Sequence, residues 1–392
     1  MHRRPTKEEV RHACTALMML RDILTLIRLH CPFSITEDMV QTMVEMWPKI
    51  RSWMGHLMLD KSVKHDEIHE LVISGVTLDG VISDLIVELL IVGGKPIEKT
   101  ITQCRSTYRL IVKMWLKQDE DIDYAHTMQA KKWFDVCTSS VTRAILAMFE
   151  LNAGRKGMKT QFVKCANGDL ELIAVSVLLR IKCALRAGIA GASATLEYSH
   201  LIPALTLVQK EEMPQLGKTL FEYGAVQYII RVILKVSEWA LLPNTKLLWD
   251  RNARVKDLET LFEFLIWAVD DCTSASVLRQ IINGGLFRAL ANLLSQKHSD
   301  LVASFATDMF RRYIPTQMFN IGVTRDVAQA MKRDEKLYEN TAIPKQIRDY
   351  FTQLRELTIE RMVYKTMYRM KNFKELKCDT VSASSTPCFH LI

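Results

Sequence analysis

The chain has 392 residues, of which 48% are hydrophobic and 24% charged, and it contains only 15 glycines and 10 prolines. These proportions exclude a disordered chain, a collagen-like repeat and a small disulfide-stabilised fold, and they favour long helices with few turns. The net charge of +8 is modest for this length, which excludes a uniformly polybasic nucleic-acid-binding protein.

Most of the positive charge lies near the C-terminal end of the sequence. Residues 311–377 contain 15 basic and 8 acidic side chains, whereas the preceding residues are nearly neutral. If an anionic partner is recognised through charge, this asymmetry predicts that it contacts a basic element in that region.

The spacing of apolar residues predicts helices along almost the whole chain. Apolar side chains recur at intervals of three and four, and no segment shows the alternation of a strand. Thr36, Ser34 and Ser274 are suitable N-caps, and Pro96 and Pro344 suit the first turn of a helix. The predicted helices are, in chain order, 7–30, 36–59 with a kink at Pro48, 64–74, 76–92, 96–117, 124–137, 139–152, 157–166, 168–187, 194–210, 213–222, 224–241, 255–271, 274–283, 285–296, 299–312, 325–338 and 344–376.

Three of these helices follow a glycine turn. Gly168, Gly224 and Gly285 each precede a long apolar segment, and they lie 56 and 61 residues apart. Glycine allows one helix to end in the left-handed conformation and the next to start at a sharp angle. Stacked helical pairs bury apolar faces that no single pair can cover. The pattern predicts an all-α fold arranged as an irregular α-solenoid.

The segment Asn283–Leu294 resembles the third helix of armadillo-type repeats. With the basic helix and Lys377-Cys378-Asp379 that follow, the chain is similar to fungal armadillo/HEAT-like helical-repeat proteins that often carry a C-terminal MYND-type zinc finger. The resemblance implies a finger of seven cysteines and a histidine, but only Cys378, Cys388 and His390 are present after Lys377. We therefore expect no zinc unless an intact finger follows Cys378 in a longer form.

The predicted solenoid covers residues 1–376. An N-terminal sub-bundle at 1–152, a repeat region at 153–312 and basic C-terminal helices at 313–376 are the expected subdivisions. The Ser/Thr-rich segment 377–392 is expected to be a disordered tail.

The nine cysteines are odd in number and include no CxxC pair. This pattern favours free thiols, and hence an intracellular protein of the cytoplasm or nucleus. Arg21 and Asp22 follow the apolar segment 13–20 where a signal peptide would need small residues. The longest apolar stretch contains Asp84 and Glu88, so we expect neither a secretory signal nor a membrane span.

Two segments contain the residue types of a catalytic or ligand-binding motif without its complete pattern. His65 and His69 have the spacing of two zinc ligands on a helix, but Asp66 stands where HExxH has glutamate, and no third ligand is evident. A metallohydrolase is therefore the third hypothesis, and a polar first turn of a helix is the preferred interpretation. Residues 154–160 contain glycine, lysine and threonine in the wrong order for a phosphate loop, which favours a basic connection between helices.

The last predicted helix places Arg361, Lys365 and Arg369 at i, i+4 and i+8, with tyrosines and phenylalanines interleaved. Like charges at this spacing repel, so the ridge suggests a docking surface for an acidic protein segment, with a solvated face as the alternative. Three phosphate contacts on duplex DNA would give a salt slope of only about −2.7, which is too weak for stable binding by this ridge alone.

Tryptophans and methionines recur at helical spacing, including Met18, Met19, Met43 and Met46 in the first two predicted helices. Core packing is the default role of such residues. A Met-rich groove for a partner helix would require that the first two helices leave these faces open.

The first hypothesis is a non-catalytic scaffold or adaptor that binds protein or peptide partners through a helical-repeat surface. It assigns no catalytic residue, no metal ligand and no cofactor, and it names Arg361, Lys365 and Arg369 as binding residues. The alternatives are a nucleic-acid-associated regulatory factor that uses the basic C-terminal helix, or a truncated member of a MYND zinc-finger family. The sequence leaves the identity of the partner, the binding face and the oligomeric state open.

Overall fold

The computed structural model describes residues 6–30, 36–59, 78–127, 139–188, 192–206, 214–240, 251–272, 275–295 and 300–369. Every regular element within these ranges is helical, which confirms the all-α class. The chain divides into two compact units, Met1–Phe264 and Leu265–Ile392. None of the described helices is both long enough and apolar enough to cross a bilayer.

The first unit contains α1 (Lys7–His30), α2 (Glu37–Leu59), α3 (Leu78–Val92), α4 (Gly94–Thr102), α5 (Arg105–Thr127), α6 (Ser139–Glu150), α7 (Asn152–Cys165), α8 (Leu170–Ala187), α9 (Ala192–Thr206), α10 (Pro214–Glu222) and α11 (Ala225–Ala240). Helix α12 (Arg251–Cys272) contains the boundary between the units. The second unit continues with α13 (Ala275–Asn283), α14 (Leu286–Leu294), α15 (Asp300–Asp308), a π-helical segment (Met309–Tyr313), α16 (Ile314–Gln317), α17 (Ile321–Asp334), a 3₁₀ segment (Glu335–Glu339) and α18 (Lys345–Arg369).

The observed helices differ from the predicted ones mainly at their ends. The predicted helix 96–117 is two helices, because the chain turns at Gln103–Cys104 between α4 and α5. The Tyr108 hydroxyl stabilises this turn by donating a hydrogen bond to the Thr102 carbonyl at 2.7 Å. Neither glycine nor proline marks the turn, which is why the sequence pattern misses it. The predicted helix 64–74 lies outside the described residues, as does most of 124–137.

Side-chain caps account for several helix starts. Thr6 and Glu9 form a reciprocal capping box, in which Glu9 accepts from the Thr6 backbone N–H at 2.6 Å. The predicted cap Thr36 accepts from the Met39 N–H at 3.3 Å, whereas Ser34 and Ser274 lie outside the described residues. Asp169 caps α8 by accepting from the Leu172 N–H at 2.9 Å. These bonds satisfy backbone donors that a helix leaves without partners.

Helix α3 is the centre of one part of the first unit. Its sequence is apolar almost all the way round, and Val81, Ile82, Leu85 and Ile86 are fully buried. It packs against α1 and α6. A helix without a polar face must be covered on several sides, so α3 organises its neighbours around itself.

Helices α5, α7 and α8 meet at Trp115. This indole is fully buried and contacts the Phe162 ring edge-to-face at 5.4 Å. The Arg180 guanidinium from α8 lies over the same indole, 3.7 Å from the ring centroid. The contacts hold the inner face of α5 and leave its opposite face free to carry charge.

The second unit has an aromatic core. The Tyr338 and Phe351 rings stack with centroids 3.9 Å apart, and Phe287 and Phe310 stack at 5.6 Å. Tyr338 donates its hydroxyl hydrogen to the Phe287 carbonyl at 2.8 Å. Burial, and then the nearby charge of Asp334, raise the pKa of Tyr338 well above its ordinary value, so the hydroxyl remains a donor.

The three predicted glycine turns are present. Gly168, Gly224 and Gly285 have φ values of 81°, 88° and 109° and directly precede or lie within two residues of α8, α11 and α14. This is the left-handed region, which residues with a Cβ rarely adopt. The local prediction from these three segments is confirmed.

We expect Gly224→Ala to lower the free energy of unfolding by about 1–2 kcal/mol, because alanine is strained at this φ. A Cβ at Gly224 meets no atom within 4 Å, so the effect comes from the backbone conformation alone. Gly55, inside α2, offers a matched control with equal space around it. Gly55→Ala should raise stability by about 0.5–1 kcal/mol, since alanine is the better helix former. Urea denaturation measures both changes, and equal signs would contradict the assignment of the turn.

Candidate anion-binding cleft

A basic cleft lies between α5 and α7 in the first unit. Its volume is about 690 Å³. Its lining combines four cationic side chains with three neutral polar ones and a thiol: Arg105, Arg109, Lys113, Lys164, Ser106, Gln161, Asn167 and Cys165. No acidic residue lines the described cleft, so its inner surface carries positive charge only.

The sequence places these cations on one surface through simple helix geometry. Arg105, Arg109 and Lys113 stand at i, i+4 and i+8 and therefore share one face of α5. Lys164 belongs to the last turn of α7, where the partial negative charge of the helix C-terminus favours a cation. Packing of Trp115 against Phe162 joins the two helices and brings Lys164 to the face formed by α5.

The four cations form no ion pair with any residue that the structure describes. Elsewhere in the same unit, by contrast, Arg28 pairs with Glu88 at 2.8 Å. Like charges at i, i+4 on a helix cost a few tenths of a kcal/mol per pair. A bound anion would turn this repulsion into attraction, so the cleft has the electrostatics of an anion-binding site.

The neutral lining supplies hydrogen-bond donors at the cleft. The residue Gln161 is only 9% exposed, and its side-chain amide lines the cleft. A ligand oxygen that accepts from this amide gains the net free energy of one hydrogen bond, about 0.5–1.5 kcal/mol. Burial raises the pKa of the Cys165 thiol, although the charges of Lys113 and Arg109 act in the opposite direction.

Cys104 immediately precedes the cleft residues at the start of α5. Burial raises the pKa of its thiol, but hydrogen bonds with Ser106, Thr107 and Arg51, together with the Arg51 charge, outweigh burial and hold the pKa below its ordinary value. The Cys104 Sγ lies 3.1 Å from the Ser106 Oγ. Ser106 therefore links this thiol to the edge of the cleft.

The binding residues predicted from the sequence lie on α18 in the second unit. Arg361 and Lys365 are half-buried rather than exposed, and the Arg369 side chain lies outside the described residues. At 100° per residue, Arg361 and Lys365 continue the stripe on which Phe351 and Leu354 are buried. The Arg361 Nε is buried and forms no hydrogen bond with a described residue. Their role in binding stays a prediction.

An apolar groove of about 520 Å³ lies beside this stripe, between α17 and α18. Ile359, Val363 and Met367 stand along it at i, i+4 and i+8 and are 54%, 51% and 37% exposed. Arg355 and Glu335 also line the groove and form an ion pair with each other. The sequence pattern did not single out this face, because apolar residues at helical spacing are usually core residues.

The first two helices leave apolar faces open, which is the condition that a Met-rich docking surface requires. On α1, Met19, Ile23 and Leu26 are 59%, 48% and 56% exposed. On α2, Met46 is 48% exposed. Among the described tryptophans, Trp47, Trp115 and Trp239 are buried as the core expectation requires, whereas Trp53 and Trp267 are half-buried. Trp133 and Trp249 lie outside the described residues.

The two partial motifs have different outcomes. The backbone of residues 154–160 is helical within α7, so the interpretation as a connection between helices is wrong. Helix propagation from Asn152 overrides the two glycines, each of which costs only about 1 kcal/mol in a helix. His65 and His69 lie outside the described residues. Within the described ranges, no group of three His, Cys, Asp or Glu side chains is placed to hold a metal ion.

Sequence reasoning missed the cleft, although part of its signal was present. Arg105, Arg109 and Lys113 have the same i, i+4, i+8 spacing that drew attention to Arg361. A systematic search for this spacing would have found them. Lys164 and Gln161 are more than 45 residues further along the chain, and only the packing of α7 on α5 brings them to the cleft.

Fold and site together define an all-α protein with a cationic cleft in its first unit. Comparison with models of known protein families, with curated proteins and with solved structures found no match to this chain. Functional inference therefore rests on the geometry and chemistry of the cleft.

Proposed function

We propose that this chain is a non-catalytic helical adaptor whose cleft between α5 and α7 binds an acidic segment of a protein partner. The observation that carries the proposal is the convergence of four cations that form no ion pair with a described residue, in a cleft whose described lining contains no acidic side chain. The resulting site attracts anions through charge and offers neutral donors beside it. This assigns the binding role to the first unit and adds to the sequence-based hypothesis of Arg361, Lys365 and Arg369.

The expected affinity is moderate. An exposed ion pair contributes about 0.2–1 kcal/mol, so four of them supply about 1–4 kcal/mol. Hydrogen bonds to Gln161 and Asn167 add to this through the backbone or side chains of the bound segment. Such a sum, about 2–7 kcal/mol, corresponds to dissociation constants from tens of millimolar to about 10 μM, which suits a reversible adaptor.

A peptide fits the cleft better than a nucleic acid does. Single-stranded nucleic acids bind through grooves that follow the backbone and through aromatic side chains on which bases stack. No aromatic residue lines the described cleft. Four contacts to single-stranded DNA would give a salt slope of only about −2.8. An acidic peptide needs neither stacking nor a long cationic track.

The finer architecture and the family relationship are part of the proposal. We propose an armadillo- or HEAT-like arrangement of the helices, supported by the positive-φ glycines that open α8, α11 and α14. The relationship to fungal helical-repeat proteins with a MYND-type finger rests on the segment Asn283–Leu294, the basic helix and Lys377-Cys378-Asp379, the last of which lies outside the described residues. The proposed binding needs no cofactor.

The proposal is tested with a fluorescein-labelled peptide of alternating glutamate and glycine, and a matched peptide with glutamine in place of glutamate. We expect fluorescence anisotropy to detect binding of the glutamate peptide only. A cleft variant carrying Arg105→Gln, Arg109→Gln and Lys164→Gln should bind about tenfold more weakly or worse. A control variant with Lys95→Gln, Lys99→Gln and Lys182→Gln removes the same charge from exposed positions outside the cleft and should bind like the unmodified protein.

Equal weakening in the cleft and control variants would show that net charge rather than the cleft drives binding, and would overturn the proposal. A labelled single-stranded oligonucleotide that binds more tightly than the peptide would instead favour the nucleic-acid alternative. Helical circular dichroism of each variant confirms that the substitutions leave the fold intact.

A further inference from the structure

We infer that the preferred ligand of the cleft is a phosphorylated side chain in the partner segment. This inference rests on the proposed function, because it names the anion that the same cleft binds. It is carried by the concentration of charge in one concavity and by the hydrogen-bond donors that surround it, which include the Gln161 amide.

The charge is concentrated rather than spread along a track. All four cations border a single space of about 690 Å³, which a peptide enters with one or two side chains. A carboxylate brings one negative charge into that space, whereas a phosphate monoester brings about 1.5 to 2 at neutral pH. One phosphorylated side chain of the peptide therefore neutralises more of the positive charge of the cleft than one carboxylate side chain does.

The donors of the cleft outnumber the acceptors of a carboxylate. Arg105 and Arg109 each present a planar fork of N–H groups, the geometry that matches phosphate oxygens in bidentate pairs. Gln161 adds a side-chain amide to the lining of the cleft. A phosphate offers three strong acceptor oxygens, so it satisfies both forks and the amide where two carboxylate oxygens do not.

The start of α5 adds to the same field. Arg105 and Ser106 are the first two residues of this 23-residue helix. The N-terminus of a helix carries a partial positive charge and favours phosphate groups. At this end of the cleft, the cationic side chains and the partial positive charge of the helix N-terminus therefore both attract an anion.

The test uses three fluorescein-labelled peptides of the sequence Gly-Gly-Ala-X-Ala-Gly-Gly, with phosphoserine, glutamate or serine at X. Anisotropy titrations of the full chain should show binding of the phosphoserine peptide about tenfold or more tighter than that of the glutamate peptide. Inorganic phosphate should displace it. The cleft variant should lose the preference, and the control variant should keep it. Gln161→Leu should raise the dissociation constant of the phosphoserine peptide about threefold or more.

A pH series separates phosphate recognition from general charge. The second pKa of a phosphate monoester is about 6. Lowering the pH from about 7.5 to about 5.5 therefore removes negative charge from the phosphoserine peptide and should weaken its binding. The glutamate peptide keeps its charge over this range. The charged groups of the cleft lining are Arg105, Arg109, Lys113 and Lys164. Burial raises the pKa of the Cys165 thiol, which therefore stays neutral over this range.

Each outcome decides between the two proposals. Equal binding of the phosphoserine and glutamate peptides, with loss in the cleft variant, would overturn phosphate recognition and leave the acidic-segment function standing. Failure of both peptides, together with failure of the glutamate-glycine peptide, would overturn both. A phosphoserine preference that survives in the cleft variant would place the phosphate elsewhere and overturn this inference.

Discussion

Replacing Arg180 with alanine is expected to lower the free energy of unfolding by about 3–4 kcal/mol. The side chain is fully buried. It donates to the Ser176 carbonyl at 3.0 Å and to the Trp115 carbonyl. Alanine would remove these charge-assisted bonds and open a cavity beside the indole.

The cation–π contact adds to this loss. The Arg180 guanidinium lies 3.7 Å from the centroid of the Trp115 ring, and a desolvated contact of this kind contributes about 2 kcal/mol. The cost of burying the charge opposes it, so the measured change is a net value. Arg180→Met keeps much of the packed volume and removes the charge, and we expect it to lose about 1–2 kcal/mol less than alanine.

Urea denaturation followed by circular dichroism measures both variants. Lys182 stands two residues away on α8 and is exposed, so Lys182→Ala provides the matched control and should change stability by less than about 0.5 kcal/mol. A change of that size in Arg180→Ala as well would contradict the buried position of the guanidinium. Because Trp115 lies on α5, the same experiment reports how firmly the helix that carries Arg105 and Arg109 is held.

The second large effect is expected at Asp334, where alanine should lower the free energy of unfolding by about 2–3 kcal/mol. This carboxylate is fully buried and accepts from Arg333 at 2.8 Å and from Arg288 at 3.3 Å. The two guanidinium groups are 46% and 42% exposed, so water compensates them in part after the carboxylate is removed. This limits the loss below that of a fully buried ion pair.

Asp334→Asn keeps the volume and one acceptor, and should cost less than Asp334→Ala. Asp349 on α18 is exposed, so Asp349→Ala serves as the control in the same unit. Arg180 lies in the first unit and Asp334 in the second. If thermal or urea unfolding shows a separate transition for each unit, Arg180→Ala should shift only the transition of the first unit, and Asp334→Ala only that of the second. Identical shifts of one transition by both variants would contradict independent unfolding of the units.

The secondary structure was largely predictable because helices depend on local spacing. Buried stripes such as that of α3, and glycines such as Gly224, carry their signal within one or two turns of chain. The errors have local causes as well. The turn at Gln103–Cys104 has no glycine or proline, and the glycines at 154 and 157 tolerate a helix that packing stabilises.

The candidate cleft was less predictable, because a basic ridge on one helix does not show which face that helix buries. Arg105 and Arg361 belong to ridges with the same spacing. On α5, the buried face is the one that carries Trp115, and the ridge of Arg105 forms no ion pair with a described residue. On α18, Arg361 instead continues a buried stripe. The difference depends on neighbouring helices that are distant in sequence.

The sequence by itself therefore determined the all-α class, the approximate positions of most described helices and the three glycine turns, since these follow from interactions within a few residues. Only the tertiary structure decided which cations share a cleft, because Lys164 and Gln161 reach Arg109 through the packing of α7 on α5. Many helices of this chain have apolar stripes of similar pattern, so periodicity does not determine which helices pack together. The fit of side chains such as Trp115 and Phe162 determines it, and these side chains are distant in sequence.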